Sequence, residues 1–344
     1  MKFDFDKLLD IYNKEISKNT KNKKKIYNYD LYKFNNLYRL VNINTFNIKY
    51  NIFYIRDPKY RIIMSMDISY KIVSHYIAKY ILLPKINKYL DIRNVASRKN
   101  MGYSYGVSLL KKYLNKNKKY DEFYILKLDI SKYFYSIDHD ILKSLLKDKL
   151  NDCEYNIICS FIDSTNASYI NERIISIKNK LVDIDKKRSN EINNIPLYEY
   201  GKGLSIGSVI NQILSIFYLY KLDHFIIHNL FIKYYIRYVD DFILIHHDKE
   251  YLKYIYKIII NKLNMEYKLK INTNKTMILK ASHGFVFLGS RYRVINKKTI
   301  ISISSSKRNK IRKNIRRKRK LYDMGYISYK SYYSTVNSYN NLYF

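Results

Sequence analysis

The chain has 344 residues, enough for two or three packed units, and its 47% hydrophobic content is that of globular protein, which excludes a disordered tail. Lysine and arginine number 64 against 29 acidic residues, a formal net charge of +35 that exceeds what solubility needs and makes nucleic acid the leading partner. An AT-rich coding sequence accounts for much of the 40 tyrosines and the absent tryptophan, but less well for the shortage of carboxylates.

The opening stretch MKFDFDKLLD lacks the apolar core of a signal peptide. Phe5, Leu8, Leu9, Tyr12 and Ile16 instead recur at helical spacing, predicting an amphipathic helix that ends in the polar run Lys18 to Lys25, a loop or solvated helix end. From Asn47 to Met66, β-branched and aromatic residues broken by Asp57-Pro58 predict a strand, turn, strand hairpin, and a helix follows through Ile68 to Leu82. Tyr124 to Ile130 reads as a buried strand, with Lys127 in it, that delivers Asp129 at its C-terminal end. Asp138 is placed to cap a helix containing Ile141, Leu142, Leu145 and Leu146. Cys153 and Cys159 have no second Cys/His pair at zinc-ligand spacing, so neither a structural metal nor a disulfide framework is expected, and a reducing cytoplasm fits.

Thr165 to Pro196 is polar and weakly patterned, which predicts connections and short elements. A helix is expected from about Ser208 to Ile227. The longest apolar stretch, Val209 to Ile232, is interrupted by Asn211, Gln212, Lys221, Asp223 and His224, so no membrane span is expected. Lys233 to Ile245 alternates around Val239-Asp240-Asp241 as a hairpin does, Lys249 to Leu263 has helical periodicity, and strands return between Thr276 and Arg293. From Ser306 the chain opens with SKRNKIRKNIRRKRK, then shows Tyr329, Tyr332, Tyr333, Val336 and Tyr339 at helical spacing: a small helical unit with one very basic helix.

Chemistry enters with the carboxylates. A lone Asp-Asp pair is usually a turn or a solvated loop charge. Asp240-Asp241, however, lies between two apolar strand segments that would bury both charges, a costly arrangement unless a cation offsets the desolvation. Asp129 at a strand end and Asp240-Asp241 at a hairpin tip together form a hard-oxygen set suited to Mg²⁺, which takes few protein ligands and completes its shell with water and phosphate oxygens. Two such ions about 3.5–4 Å apart stabilise the attacking and leaving oxygens of an in-line displacement.

The motifs from roughly Phe53 onward resemble those of prokaryotic retroelement reverse transcriptases, and they come in family order. They are SRKNMG at Ser97 to Gly102, LDISKYFYSID at Leu128 to Asp138, GLSIGSVINQ at Gly203 to Gln212, YVDD at Tyr238 to Asp241, NKT at Asn274 to Thr276 and FLG at Phe287 to Gly289. The resemblance implies that Asp129, Asp240 and Asp241, with the backbone carbonyl of Ile130, bind two Mg²⁺ ions, with Mn²⁺ as an alternative. It makes Phe134 an aromatic gate against the ribose 2′ hydroxyl, although a core phenylalanine fits the sequence as well. Arg61 would cover the incoming triphosphate, with Arg56, Lys59 or Arg98 as helpers. Ile206 and Gly207 would lie beside the nascent base pair, and Gln212 would face the template.

Lys275 would act as general acid toward pyrophosphate, or be a surface lysine. Phe287, Leu288 and Gly289 would form the primer grip, and Lys307, Arg308, Lys310, Arg312, Lys313, Arg316 and Arg317 a basic helix along duplex phosphates. Ser205, where proline is usual, and Asn211-Gln212, where Ser-Pro or Ser-Gln is usual, depart from the commoner pattern.

The implied architecture is an α+β right-hand polymerase: an N-terminal helix and fingers over residues 1–120, a palm with an antiparallel sheet and fingers insertions over 121–295, and a short helical thumb over 296–344. The implied activity is RNA-directed DNA synthesis from dNTPs on an RNA template with a cDNA product. The Ile206-Gly207 and Asn211-Gln212 forms and the compact C-terminus favour diversity-generating or phage-defence enzymes over intron enzymes. A structured non-coding RNA and an accessory protein are the implied partners. Template-free or protein-primed DNA synthesis, RNA-copying RNA synthesis and a non-catalytic RNA-binding scaffold stay open as alternatives.

Overall fold

The computed structural model describes residues 2–43, 45–56 and 59–340. Helix α1 (Phe5–Ile11) is capped by Asp4, whose carboxylate accepts from the Lys7 amide at 3.0 Å. It buries Leu8 and Ile11, and the π-helical turn Tyr12–Ile16 that continues it buries Tyr12 and Ile16, so the predicted apolar face is the face that packs. The lysine-rich run after it is non-helical only around Thr20 to Asn22. Its last lysines instead start α2 (Lys23–Asp30), which α3 (Lys33–Val41) follows.

Strands β1 (Tyr50–Ile55) and β2 (Arg61–Met66) pair antiparallel from Tyr50 opposite Met66 to Ile55 opposite Arg61, the predicted hairpin. Its expected turn at Asp57-Pro58 lies outside the described residues. Helix α4 (Ile68–Tyr76) is capped by Asp67 and runs on through the π-helical stretch Ile77–Leu82. After α5 (Tyr103–Asn117) comes β3 (Tyr124–Asp129), then α6 (His139–Lys147), capped by Asp138 as the sequence predicts.

The stretch expected to hold connections and short elements contains a helix of 17 residues, α7 (Ser168–Ile184). Its buried Ile170, Ile174, Ile177 and Leu181 fall at helical spacing, an apolar stripe too narrow to stand out among polar neighbours. Helices α8 (Val209–Tyr218) and α9 (Tyr220–His224) fill the segment where one helix was predicted. Strands β4 (Tyr234–Tyr238) and β5 (Asp241–His246), helix α10 (Lys249–Tyr267) and strand β6 (Met277–Lys280) complete the central part. Short strands β7 (Phe285–Phe287), β8 (Ser290–Ile295) and β9 (Lys298–Ile303) form a second antiparallel sheet, in which β8 and β9 pair across the boundary expected near residue 296. Two helices, α11 (Ser305–Asp323) and α12 (Tyr329–Asn340), follow.

The central sheet is antiparallel in the order β4-β5-β3-β6. Period-two alternation gives it two apolar faces. Leu126, Leu128, Phe242 and Leu244 join the larger core, with Ile213, Leu214 and Phe217 of α8 and Leu252, Ile255 and Ile259 of α10. Ile125, Ile243 and Ile245 join a smaller one, with Leu110 and Leu114 of α5 and Phe285, Phe287 and Tyr292 of the β7–β9 sheet. The architecture is mixed α+β, with small antiparallel sheets flanked by helices. Among the described residues no helix is long and apolar enough to cross a membrane.

Candidate active site

Strand register brings the carboxylates together. Asp129, the last residue of β3, stands opposite Asp241, the first of β5. The β4–β5 turn between them holds Asp240, whose carbonyl accepts from the Ile130 amide at 3.2 Å. Val239 adopts φ +58°, a left-handed conformation that costs a β-branched residue of the order of 1–3 kcal/mol and persists only where its surroundings fix it.

The fixing group is Arg237, which is fully buried. Its Nη1 donates to the Val239 carbonyl at 2.9 Å and its Nη2 to the Ile216 carbonyl of α8 at 2.8 Å. Nε and Nη2 also reach the two oxygens of Asp223, equally buried, at 2.7 and 2.6 Å, and the Tyr235 hydroxyl donates to the same carboxylate at 2.6 Å. Sequence reasoning missed this pair. The signal was there: an arginine inside an apolar strand and an aspartate inside an apolar helix each require a partner.

The most buried of the three carboxylates, Asp129, has the closest cation, Lys275, and the two half-buried ones, Asp240 and Asp241, are less well compensated. Burial raises the Asp240 pKa, and the neighbouring Asp129 charge adds to it; Lys275 and Arg61 pull the other way. Burial likewise pushes Asp241 up to about 7, with Asp240 and Asp129 adding to the rise and Lys127 opposing it. The Lys275 ammonium donates to both Asp129 oxygens at 2.9 Å. Lys127, from the middle of β3, donates to the Val286 carbonyl at 2.8 Å and stands 3.6 Å from Asp241 Oδ1, tying β7 to the carboxylates.

A cleft of about 520 Å³ opens over Asp129, Asp240 and Lys275, with Asp241 and Lys127 outside its lining. It brings together Asp129, Ile130, Asp240, Lys275, Arg61, Phe134 and Ile206, with Lys59 beside them. Phe134 is half-buried, and its ring meets Tyr133 edge-on at 6.0 Å. Among the described residues no three His, Cys, Asp or Glu side chains converge closely enough to hold a metal as they stand. The donor set nonetheless fits a hard divalent cation: it is all oxygen, and Asp241 Oδ1 is buried without a hydrogen-bond partner. Lys275 already places a positive charge between the Asp129 oxygens.

Other predicted residues lie elsewhere. The Arg98 guanidinium turns away from the cleft and binds the carbonyls of Leu90, Asp91 and Asn94, pinning the loop before α5. Arg56 pairs with Asp185 at 2.8 Å. Gly207, at φ +120°, lies against β2: a Cβ there would come within 3.1 Å of the Met64 carbonyl, and Met64 donates its amide to the Ile206 carbonyl at 2.9 Å. The close approach this glycine permits in the structure is therefore to the β1–β2 hairpin. Gln212 is exposed on the otherwise largely buried α8. The two departures from the family pattern meet each other, since the Asn211 amide donates to the Ser205 hydroxyl at 2.8 Å.

Leu288 and Gly289 take φ +48° and +70° in the β7–β8 turn, and Phe287 is buried beneath them. Lys307 lies over the Tyr103 ring at 4.9 Å, joining the start of α11 to α5. Arg308, Lys310, Arg312, Lys313, Arg316 and Arg317 are exposed along α11, whose buried residue is Ile311. Behind it α12 stacks Tyr332 on Tyr322 at 5.7 Å.

Residues 49–292 match the family model described as reverse transcriptase (RNA-dependent DNA polymerase). No curated protein matches. Among solved structures, apo telomerase from Candida tropicalis truncated of its C-terminal domain is similar with a TM-score of 0.49 at 16% identity, over 73% of this chain and 54% of that one. Telomerase from Candida albicans in complex with a fragment of telomeric RNA gives 0.49 at 15%, over 76% and 46%. The chain thus spans about half the length of these structures.

Proposed function

The chain belongs to the reverse transcriptase (RNA-dependent DNA polymerase) family, and from that premise we propose that it makes cDNA from dNTPs on an RNA template. The observation that carries the reading is the cleft in which Asp129, Asp240, Lys275, Arg61, Phe134 and Ile206 face one volume. In this reading residues 1–120 serve as fingers, 121–295 as palm and 296–344 as thumb. Asp129, Asp240, Asp241 and the Ile130 carbonyl would hold two Mg²⁺, or Mn²⁺, which supply charge neutralisation to the attacking and leaving oxygens.

The chain's own groups do the rest. Arg61 neutralises the incoming triphosphate, and Lys275 holds a proton close to where pyrophosphate departs. Phe134 sets the floor beneath the sugar. The β7–β8 turn seats the primer end, coupled to Asp241 through Lys127, and α11 follows the duplex phosphates. Ile206-Gly207 and Asn211-Gln212 support placing the enzyme with diversity-generating or antiphage reverse transcriptases, with a structured non-coding RNA and an accessory protein as partners.

The test is dNTP incorporation on a primed RNA template, paired with thermal unfolding on titration with Mn²⁺. The wild type should incorporate and be stabilised by the metal, and Asp240→Asn/Asp241→Asn should do neither. An unchanged Tm in the wild type at saturating Mn²⁺, with no incorporation, would sink the enzyme reading in favour of an RNA-binding scaffold.

A further inference from the structure

A second polar cleft, of about 430 Å³, opens between α2, α3 and the corner where β2 passes into α4. It is far from the chemistry: Arg61 at one end of β2 lines the carboxylate cleft, whereas Met66 at the other end lines this one, roughly 17 Å away at strand rise. Lys25 and Lys71 both face it. Among the described residues neither has an ion-pair partner, and Lys71 is half-buried, its pKa lowered by burial and then by the Lys25 charge. The single carboxylate in the lining, Asp67, is engaged as the cap of α4 by the Tyr70 amide at 2.9 Å.

The Tyr29 hydroxyl, on a residue that is nine-tenths buried, also lines the cleft beside Ser69 and makes no hydrogen bond of good geometry. Two like charges opposed only by the capped Asp67 carboxylate, beside a buried hydroxyl with capacity for a further partner, form an arrangement that an anion would complete. The cleft does not end there. Lys25 also lines a neighbouring groove of about 690 Å³, where Arg173 of α7 and the exposed Phe53 ring of β1 lie.

We propose that this continuous groove binds the phosphodiester backbone of a single-stranded RNA segment outside the polymerase cleft. Lys25 and Lys71 hold phosphates, with Tyr29 donating, and Phe53 provides a stacking surface for a base. Extent favours a strand over a free nucleotide: Lys71 lines one cleft, Arg173 with Glu172 beside it lines the other, and Lys25 lines both. The chemistry of a phosphate is common to both, so the experiment must separate them.

The first arm measures binding of a fluorescein-labelled single-stranded RNA to the full chain across salt concentrations. Lys25→Glu/Lys71→Glu should weaken binding at least tenfold more than the control Lys147→Glu/Lys257→Glu, which reverses the same charge at exposed sites on α6 and α10. It should also lower the slope of log K against log salt by about 1.4, two phosphate contacts' worth for a single strand. Incorporation on a short primer–template should be unchanged. Lys25→Ala/Lys71→Ala repeats the measurement if the reversals do not fold.

The second arm is lysine acetylation read by mass spectrometry, with RNA, dNTP or inorganic phosphate added at constant ionic strength. RNA alone should protect Lys25 and Lys71. Equal affinities and slopes in test and control variants, or protection by dNTP or phosphate without protection by RNA, would overturn the proposal.

Discussion

The β4–β5 hairpin and helix α11 both depend on arginine, and they use it in opposite ways. In the hairpin one guanidinium, with no exposed surface, has each of its contacts fixed within 2.6–2.9 Å and through them sets a backbone turn. Along α11 eight lysines and arginines are exposed and, among the described residues, Ile311 alone is buried. The first region converts charge into geometry; the second offers charge as a field whose effect scales with number. Mutation should therefore be all-or-none in the hairpin and graded along the helix.

The largest effect expected is loss of the carboxylates. Asp129→Ala, or Asp240→Ala/Asp241→Ala, should lower incorporation by at least about 10³-fold, the equivalent of several kcal/mol of charge stabilisation, while RNA affinity changes little. Primer-extension rates and RNA-binding isotherms on the same preparations check it; incorporation within tenfold of wild type would place the chemistry elsewhere. Next comes Arg237→Ala, which strands the buried Asp223 charge and should cost about 3–5 kcal/mol in denaturant unfolding. Replacing the whole network, by Arg237→Met/Asp223→Leu/Tyr235→Phe, should recover much of that stability. Incorporation should stay low, because the Val239 carbonyl still lacks its donor. Recovery of both would reduce Arg237 to a packing residue.

The hairpin also marks where the sequence is most and least readable. Alternation around Val239-Asp240-Asp241 predicted the β4–β5 hairpin, and the apolar run carrying Asp129 near its end predicted β3, because strand period and burial are local properties. The Arg237–Asp223 pair joins residues from a strand and a helix, and nothing local states that they meet. Helix α7 was missed for a different reason: its four buried aliphatics are spaced correctly but separated by polar residues that resemble a loop. Arg98 illustrates the converse. A basic residue in a family motif looked available for a phosphate, whereas the preceding loop presents the Leu90, Asp91 and Asn94 carbonyls to it. Ser205 and Asn211 read as two separate departures and proved to be one hydrogen bond.

Graded behaviour should follow from neutralising Arg312, Arg316 and Arg317 to glutamine, singly and together. Each step should reduce the slope of log affinity against log salt by about 0.7–0.9, with weaker binding at moderate salt. Stability should move by no more than about 0.5 kcal/mol, as for exposed substitutions without partners in the core. A single member that removed most of the affinity would make α11 a fixed contact like the hairpin and erase the contrast between the two regions.

The smallest effect tests whether geometry rules the cleft down to one ring. Phe134 follows Asp129 by one tight turn, lines the same volume as Asp129, Asp240 and Ile206, and is only partly packed into the core. Its backbone is held firmly, since the Phe134 carbonyl accepts from the Leu204 amide at 2.7 Å and Tyr133 beside it donates its hydroxyl to Ser215. A ribose 2′ hydroxyl pressed on that ring would lose a water partner and gain none, a penalty of about 1–3 kcal/mol. Wild type should therefore favour dNTPs, and Phe134→Val should let ribonucleotides compete by roughly ten- to a hundredfold more on the same RNA template, that penalty converted to a rate ratio. Phe134→Tyr, which keeps the ring, should stay close to wild type. If Phe134→Val leaves the ratio unchanged while the protein remains folded, the ring closes the core and another group selects the sugar; if wild type itself takes both sugars equally, DNA synthesis gives way to RNA synthesis as the reading of this cleft.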